Sequence, residues 1–514
     1  MVRQVPPPNS HGFPAAVPIL AACFGLLGVL PGTLGITWLT RISNHDGVDL
    51  VTVQDAVTVP LPPPRQTLVV LVDGLGLEPA LQTPAATWLK LHGRCFAVTH
   101  ETPTMSRPVY AVVSTGLPQS RTGVRANGVH TPARAQSVWE LMTAAGLTVS
   151  VWSDVSWWQE LFPKGFTTVR DTAEPPGAFQ TRVALVHPTL VDHAGHHTGG
   201  DSHAYAEAVR ESSTITLAML QRLDLQQDVA LVTADHGHWH SGGHGGDEPR
   251  INRVLACAVG RGVTPSQELT EVPGITLGPL LTVFMGLPFP STMQAPNAAL
   301  RSTVSSLDGT AFPPGYLEAR LRALDAFDDA GRARLAALGA SSWADVTAHG
   351  QAAHATRWWV AAVLAWLALV LAVRVFGGRH GNRVTAWATV LVPLTPALLW
   401  AWRGTFSMSV INTRPMFLAS SVVLCGTACA VATLMLWWWT RQLRALVAGQ
   451  AGVCAAVVAL AVAHVMIHGW TPGLVLPDAA RLFLPLWLAV VGGTHAVAGF
   501  LLVVGARWFP PPVN

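Results

Sequence analysis

Residues 66–74 read Gln-Thr-Leu-Val-Val-Leu-Val-Asp-Gly. A strand with one wet face alternates apolar and polar residues. The unbroken apolar run Leu68–Val72 instead predicts a strand buried on both faces, the state of a parallel strand inside an α/β sheet. Asp73 then stands at the strand's C-terminal end, where open α/β sheets bind ligands. Working outward, similar runs occur at 149–152, 183–186, 229–233 and 254–259, with helical stretches at 78–92, 136–145 and 203–223. The alternation predicts an α/β domain whose mostly parallel sheet lies between helices.

The rest of the chain has a different character. Only 12% of its 514 residues are charged, 50% are hydrophobic, and Trp numbers 20. An ordinary soluble chain is about 25% charged, so a disordered chain and a fully soluble protein are both excluded. The net charge of +3 is too small to imply nucleic acid. Six Cys in this length read as no disulfide framework, and Cys425, Cys429 and Cys454 lie in apolar runs as packing residues.

The apolar residues cluster. One run spans 13–39, and five follow near 356–376, 384–402, 415–439, 445–467 and 482–506. Each approaches the roughly 20 residues that cross a bilayer. Residues 13–39 read as a transmembrane anchor and 355–506 as a five-helix transmembrane region. Leu20-Ala-Ala-Cys23 is like a lipoprotein cleavage site, but the apolar run continues to Leu39, so a retained anchor is expected. With cytoplasmic ends at 1–12 and 507–514, the cytoplasmic segments carry Arg3, Arg374, Arg379, Arg383, Arg441, Arg444 and Arg507. The opposite short loops carry Arg403, Arg414 and Arg481. This asymmetry predicts a multi-pass cell membrane protein whose polar domain faces away from the cytoplasm. Residues 40–64, with Pro60, Pro62, Pro63 and Pro64, read as a linker, 65–300 as the catalytic domain and 301–354 as a helical connector. Within the connector, Leu317, Leu321, Leu324 and Phe327 form one helical stripe.

Chemistry-bearing residues gather after predicted strands: Asp73, Asp192-His-Ala-Gly-His196, Asp235-His236-Gly, and Gly242-Gly-His244-Gly-Gly. Mixed carboxylate and imidazole donors suit zinc, with manganese as the alternative. Six donors exceed one tetrahedral shell and fit two divalent ions, which can clamp the attacking and leaving oxygens of a phosphoryl displacement. The chain has 20 His, so a single one is weak evidence. His187, His193, His197, His203, His238 and His240 are therefore read as surface or supporting side chains.

This ordered set resembles the alkaline phosphatase superfamily over about residues 66–290, particularly its phosphodiesterase and phosphoethanolamine-transferase branches. The motifs are Val-Asp73-Gly, Pro103-Thr-Met-Ser106-Arg-Pro108, Ser114-Thr-Gly-Leu117, Asp192-x-x-Gly195-His196, Asp235-His236-Gly237 and Gly286-Leu-Pro-Phe-Pro290. The resemblance implies Ser106 as nucleophile, with Thr104 as the alternative, and Asn127 as holder of a phosphate oxygen. It implies one ion on Asp192, His196 and His244, and another on Asp73, Asp235, His236 and the Ser106 oxygen. A sulfatase pattern fails because Tyr110 occupies its Arg position. The particular likeness is to GPI ethanolamine phosphate transferases, with an N-terminal anchor, an extracytoplasmic catalytic domain and C-terminal spans. It implies a two-metal phosphotransferase or phosphodiesterase with a phospho-serine intermediate. Such an enzyme moves a phosphoethanolamine-like head group from a membrane lipid donor to a glycan or lipid acceptor. The alternative is an extracytoplasmic phosphodiesterase or phosphatase that needs no specific acceptor. A non-enzymatic transporter is disfavoured by the scarcity of charge in the spans.

Overall fold

The computed structural model describes residues 17–43, then 50–346 except 129, 173–176, 178, 295, 296, 343 and 344, then helices 443–468 and 479–505, with isolated residues between 360 and 438. The expected apolar runs 356–376, 384–402 and 415–439 lie outside the described residues apart from those isolated positions, as do both chain ends.

Among the described residues, eight strands form one sheet: β1 (Thr67–Val72), β2 (Gly93–Thr99), β3 (Val149–Ser153), β4 (Thr168–Asp171), β5 (Val183–His187), β6 (Val229–Ala234), β7 (Arg253–Gly260) and β8 (Ser266–Pro273). Their order is β4-β3-β5-β1-β6-β7-β2-β8. All pairings are parallel except those of β7, which runs antiparallel to both β6 and β2. The central strand is β1, every residue of it buried. Its side chains split between two cores, Val69 and Leu71 on one face and Leu68, Val70 and Val72 on the other. Burying each such side chain contributes about 1.5–3 kcal/mol, which is why an uninterrupted apolar run specifies this position.

The expected helix 78–92 is two, Leu77–Leu81 and Pro84–His92. Thr83 breaks it: its side chain caps the second helix by accepting from Ala86 N, and Pro84 follows at the first helical position. Strands β2, β4 and β8 are additions to the sequence reading. Two of them, β4 and β8, are the sheet edges, and their half-wet sequences TVRD and SQELTEVP lack the apolar run that marks a central strand.

One cysteine expectation is corrected. Cys95 of β2 lies directly opposite Cys257 of β7, and the two form a disulfide across 162 residues of sequence. The remaining Cys are free.

Residues 50–64 lie on the domain rather than spanning away from it. Leu61 is buried, and Asp55 pairs with Arg320 at 2.9 Å with both side chains 2% exposed. Arg320 belongs to helix Tyr316–Ala337, whose Leu324 and Phe327 enter the core. The predicted stripe thus packs onto the sheet domain.

Among the described residues, two helices are long and apolar enough to cross a membrane, through Gly449–Met466 and Leu488–Gly505. Helix Val17–Ser43 packs against both. A Cβ added at Gly28 would lie 2.8 Å from Ala496 Cβ, and the Phe24 ring fills the notch at Gly499. Small residues at such contacts let apolar helices approach closely.

Candidate metal centre

Three adjacent strands, β5, β1 and β6, deliver the site. Asp73 follows β1, Asp235 and His236 follow β6, and Asp192 and His196 sit on helix Leu190–Thr198 beyond β5. Gly74 brings two of these groups together. Its φ is +78°, and a Cβ there would fall 2.7 Å from Asp192 Cα; only glycine tolerates both the conformation and the approach.

His236 Nε2 is the centre of the first group. It lies 3.3 Å from Asp235 Oδ2, 3.5 Å from Asp73 Oδ1 and 3.3 Å from Ser106 Oγ. All four residues are almost fully buried. Asp235 Oδ1 accepts the Gly74 and His236 N–H groups at 3.0 and 2.9 Å, which turns Oδ2 inward. Asp235 Oδ2 and Asp73 Oδ1 have no hydrogen-bond partner among the described residues. Two buried, unpartnered carboxylate oxygens facing an imidazole nitrogen and a hydroxyl suit a divalent cation.

Asp192 Oδ1 is the centre of the second group. His196 Nε2 lies 3.3 Å from it and His244 Nε2 3.9 Å, and the two imidazole nitrogens face each other at 3.2 Å. His244 is held from behind, its Nδ1 donating to Thr104 O at 2.9 Å.

The two candidate hydroxyls differ in their engagements. Thr104 Oγ1 donates to Gly246 O at 2.8 Å and accepts from Gly245 N at 3.1 Å, so it clamps the His244 loop. Ser106 is the first residue of helix Ser106–Thr115, whose N-cap is Met105, and its Oγ faces His236. Asn127 Oδ1 accepts the Arg107 N–H at 3.0 Å, which sets the amide beside Ser106. The Arg107 guanidinium points elsewhere, to Glu160 at 2.6 Å.

Charge is frustrated in this cluster. Burial, then the Asp73 charge, raises Asp192 to about 7 and Asp235 well above the usual carboxylate range. Burial also opposes ionisation of Asp73, but hydrogen bonding and charge from His187, with His236 and Tyr110, outweigh it and hold Asp73 low. Burial pushes His236 down to about 3, and His196 and His244 down as well. The imidazoles are therefore neutral donors, and the carboxylates lack a compensating cation.

Sequence reasoning set aside two buried histidines. His187 Nε2 lies 3.0 Å from Asp73 Oδ2, and His238 Nε2 lies 2.9 Å from Asp192 Oδ1. It also met Tyr110 only as a mismatch, whereas the Tyr110 hydroxyl contacts both Asp73 and His187. His193, His197, His203 and His240 are exposed, as expected.

Ser409, from the stretch between two expected membrane spans, reaches this rim. Its Oγ accepts the Gly246 N–H at 2.9 Å and donates to Glu248 at 2.7 Å.

Comparison with known proteins gives a curated relative. The catalytic subunit of human GPI ethanolamine phosphate transferase 3 is 26% identical over 223 residues, 39% of this chain, and the mouse protein matches equally. The chain spans about a fifth of the length of these curated relatives. No protein-family model matches it. Among solved structures it is similar to murine ectonucleotide pyrophosphatase/phosphodiesterase 5, at 14% identity over 48% of this chain and 100% of that one, with a TM-score of 0.41. A protein in the alkaline phosphatase superfamily from Vibrio parahaemolyticus aligns at 14% identity over 51% of this chain and 77% of that one, with a TM-score of 0.36.

Proposed function

We propose that this chain is a membrane-bound phosphotransferase. In this reading it works through a phosphorylated Ser106 and moves a phosphoethanolamine-like head group from a phospholipid to a glycan or lipid acceptor. The observation that carries the reading is the Ser106 hydroxyl, buried and 3.3 Å from His236 Nε2, at the point where the unpartnered Asp73 and Asp235 oxygens converge. Asp73, Asp235, His236 and Ser106 would hold one ion, and Asp192, His196 and His244 the other. Two divalent ions, zinc first and manganese as the alternative, supply when bound the positive charge that favours a serine alkoxide and offsets charge on a phosphoryl group in transfer.

The chain's own residues do the rest. Ser106 Oγ attacks phosphorus in line, the donor's alcohol leaves, and the head group stays on Ser106 until an acceptor hydroxyl displaces it. Asn127, its Oδ1 tied to Arg107 N, offers its amide N–H to a non-bridging oxygen. Ser106 opens a ten-residue helix, whose positive end favours the phosphate.

Three further observations support a lipid donor and an extracytoplasmic site. The human relative is named for ethanolamine phosphate transfer. Ser409 ties the expected membrane region to the His244 loop, which suits a site close to the bilayer. The Cys95–Cys257 disulfide suits an oxidising compartment.

The test is the purified full chain in vesicles holding phosphatidylethanolamine labelled in its ethanolamine, with total membrane lipid as acceptor. The expected result is a new labelled lipid or glycan together with diacylglycerol. Free phosphoethanolamine without a labelled acceptor selects the hydrolase reading. Absence of metal-dependent turnover of any phosphoester overturns both.

A further inference from the structure

His238 is assigned no role by the superfamily resemblance, yet it is built into the second group. It is 1% exposed, which for an imidazole requires a partner. Its Nε2 approaches Asp192 Oδ1 at 2.9 Å, and its Nδ1 has no hydrogen-bond partner among the described residues. The helix carrying Asp192 and His196 leaves room for it: a Cβ at Gly195 would stand 2.4 Å from the His238 ring. The ring centroid lies 5.0 Å from that of His196 and 5.5 Å from that of His244.

Asp192 Oδ1 thus has three imidazole nitrogens around it, the Nε2 atoms of His238, His196 and His244. Zinc bonds of about 2.0–2.1 Å in a tetrahedron place neighbouring donors about 3.3 Å apart. The donor–donor distances are 2.9 Å for Asp192–His238, 3.3 Å for Asp192–His196, 3.2 Å for His196–His244 and 3.9 Å for Asp192–His244. The donor atoms of Asp192, His196 and His238 all lie within 4.8 Å of one another.

We propose that His238 is a fourth protein ligand of the ion held by Asp192, His196 and His244. One carboxylate and three imidazoles would then hold this ion. The other ion, on Asp73, Asp235, His236 and the Ser106 oxygen, remains the one that holds the nucleophile. The inference rests on the two-ion reading above, and its test separates the two.

The rival role is orientation: His238 Nε2–H donating to Asp192 without binding metal. X-ray absorption of the zinc-loaded full chain distinguishes them without a variant. The proposal expects two zinc ions per chain and four imidazoles shared between them, against three if His238 only orients Asp192. Zinc titration then compares His238→Ala with His238→Gln, which keeps a donor N–H at a similar reach. A ligand role predicts that both variants bind the second zinc at least about tenfold more weakly, whereas an orienting role predicts that the Gln variant retains wild-type affinity. Two zinc ions with three imidazoles, or full retention in His238→Gln, overturns the His238 assignment and leaves the two-ion reading standing. At most one zinc per chain overturns the two-ion reading and this inference with it.

Discussion

The Tyr110 hydroxyl donates to Asp73 Oδ2 at 2.5 Å, from one turn along the same helix that Ser106 opens. The same hydroxyl lies 2.7 Å from His187 Nε2, and Ser153 Oγ lies 2.8 Å from His187 Nδ1. With the His187 proton on Nε2, Ser153 donates to Nδ1 and the imidazole donates to Asp73. One oxygen of Asp73 is thereby fixed from behind, and the other is left toward His236.

This arrangement makes Tyr110 and His187 positioning residues for the Asp73 carboxylate. Tyr110→Phe should fold, because the ring keeps its stack on Trp158 at 4.3 Å between centroids. It should weaken the first ion about 10- to 100-fold, the usual cost of removing a partner of a ligand. Zinc competition titration reads this directly. Wild-type affinity in the variant would show that Asp73 needs no such support.

Ser106 and Thr104 should separate in what their loss does. Ser106 is not the helix N-cap, so Ser106→Ala removes no cap and loses only the buried contact with His236, a cost of about 1 kcal/mol. It should bind metal and show no turnover. Thr104→Ala removes two hydrogen bonds to the buried 245–246 backbone and should cost about 1–3 kcal/mol while retaining measurable turnover. Thermal unfolding and phosphoester hydrolysis, measured on both variants, check the pair. A dead Thr104→Ala beside an active Ser106→Ala reverses the roles.

How much of this was legible follows from burial. β1, β5 and β6 carry the site and are covered on both faces, so their apolar runs announced both strand and ligand position. β4 and β8 are edges, where solvent relaxes the pattern. The Cys95–Cys257 bond joins partners 162 residues apart, and only strand register reveals that they are opposite. His187 and His238 looked like two more histidines among 20, since depth in the fold, not spacing in sequence, distinguishes them. Tyr110 carried no pattern at all, because its significance lies in a contact with a residue 37 positions earlier.

The disulfide gives a prediction independent of activity. The full chain isolated from its membrane under non-reducing conditions, then denatured, should titrate four thiols: Cys23, Cys425, Cys429 and Cys454. Six thiols would place the domain in a reducing compartment and remove one support for an extracytoplasmic site. Replacing both Cys95 and Cys257 by Ala should lower stability by about 2–4 kcal/mol, the usual range for a disulfide.

Acid should destabilise the metal-free domain, and the sign follows from the imidazoles. His236 is pushed down to about 3 and His100 and His238 to about 4, while His196 and His244 are also lowered, burial being the largest cause for each. In the unfolded chain each has the ordinary value of about 6.5. Below that pH the unfolded chain takes up protons that the folded domain refuses, so stability is present above about 6.5 and is lost as pH falls toward the folded values. Asp192, raised to about 7, and Asp235 act in the opposite sense, since the folded domain keeps protons that the unfolded chain has released. Those are two groups against five imidazoles, so the imidazoles decide the slope. The melting temperature of EDTA-treated protein should fall steadily from pH 7 to pH 4.5. Zinc binding answers to the carboxylates instead: His236, His238 and His244 are already neutral at pH 6, so affinity should keep rising from pH 6 through about 7 as Asp192 gives up its proton. A melting temperature that is flat or higher in acid would mean that these histidines are not buried neutral, and an affinity that levels off by pH 6 would remove Asp192 from the ligand set.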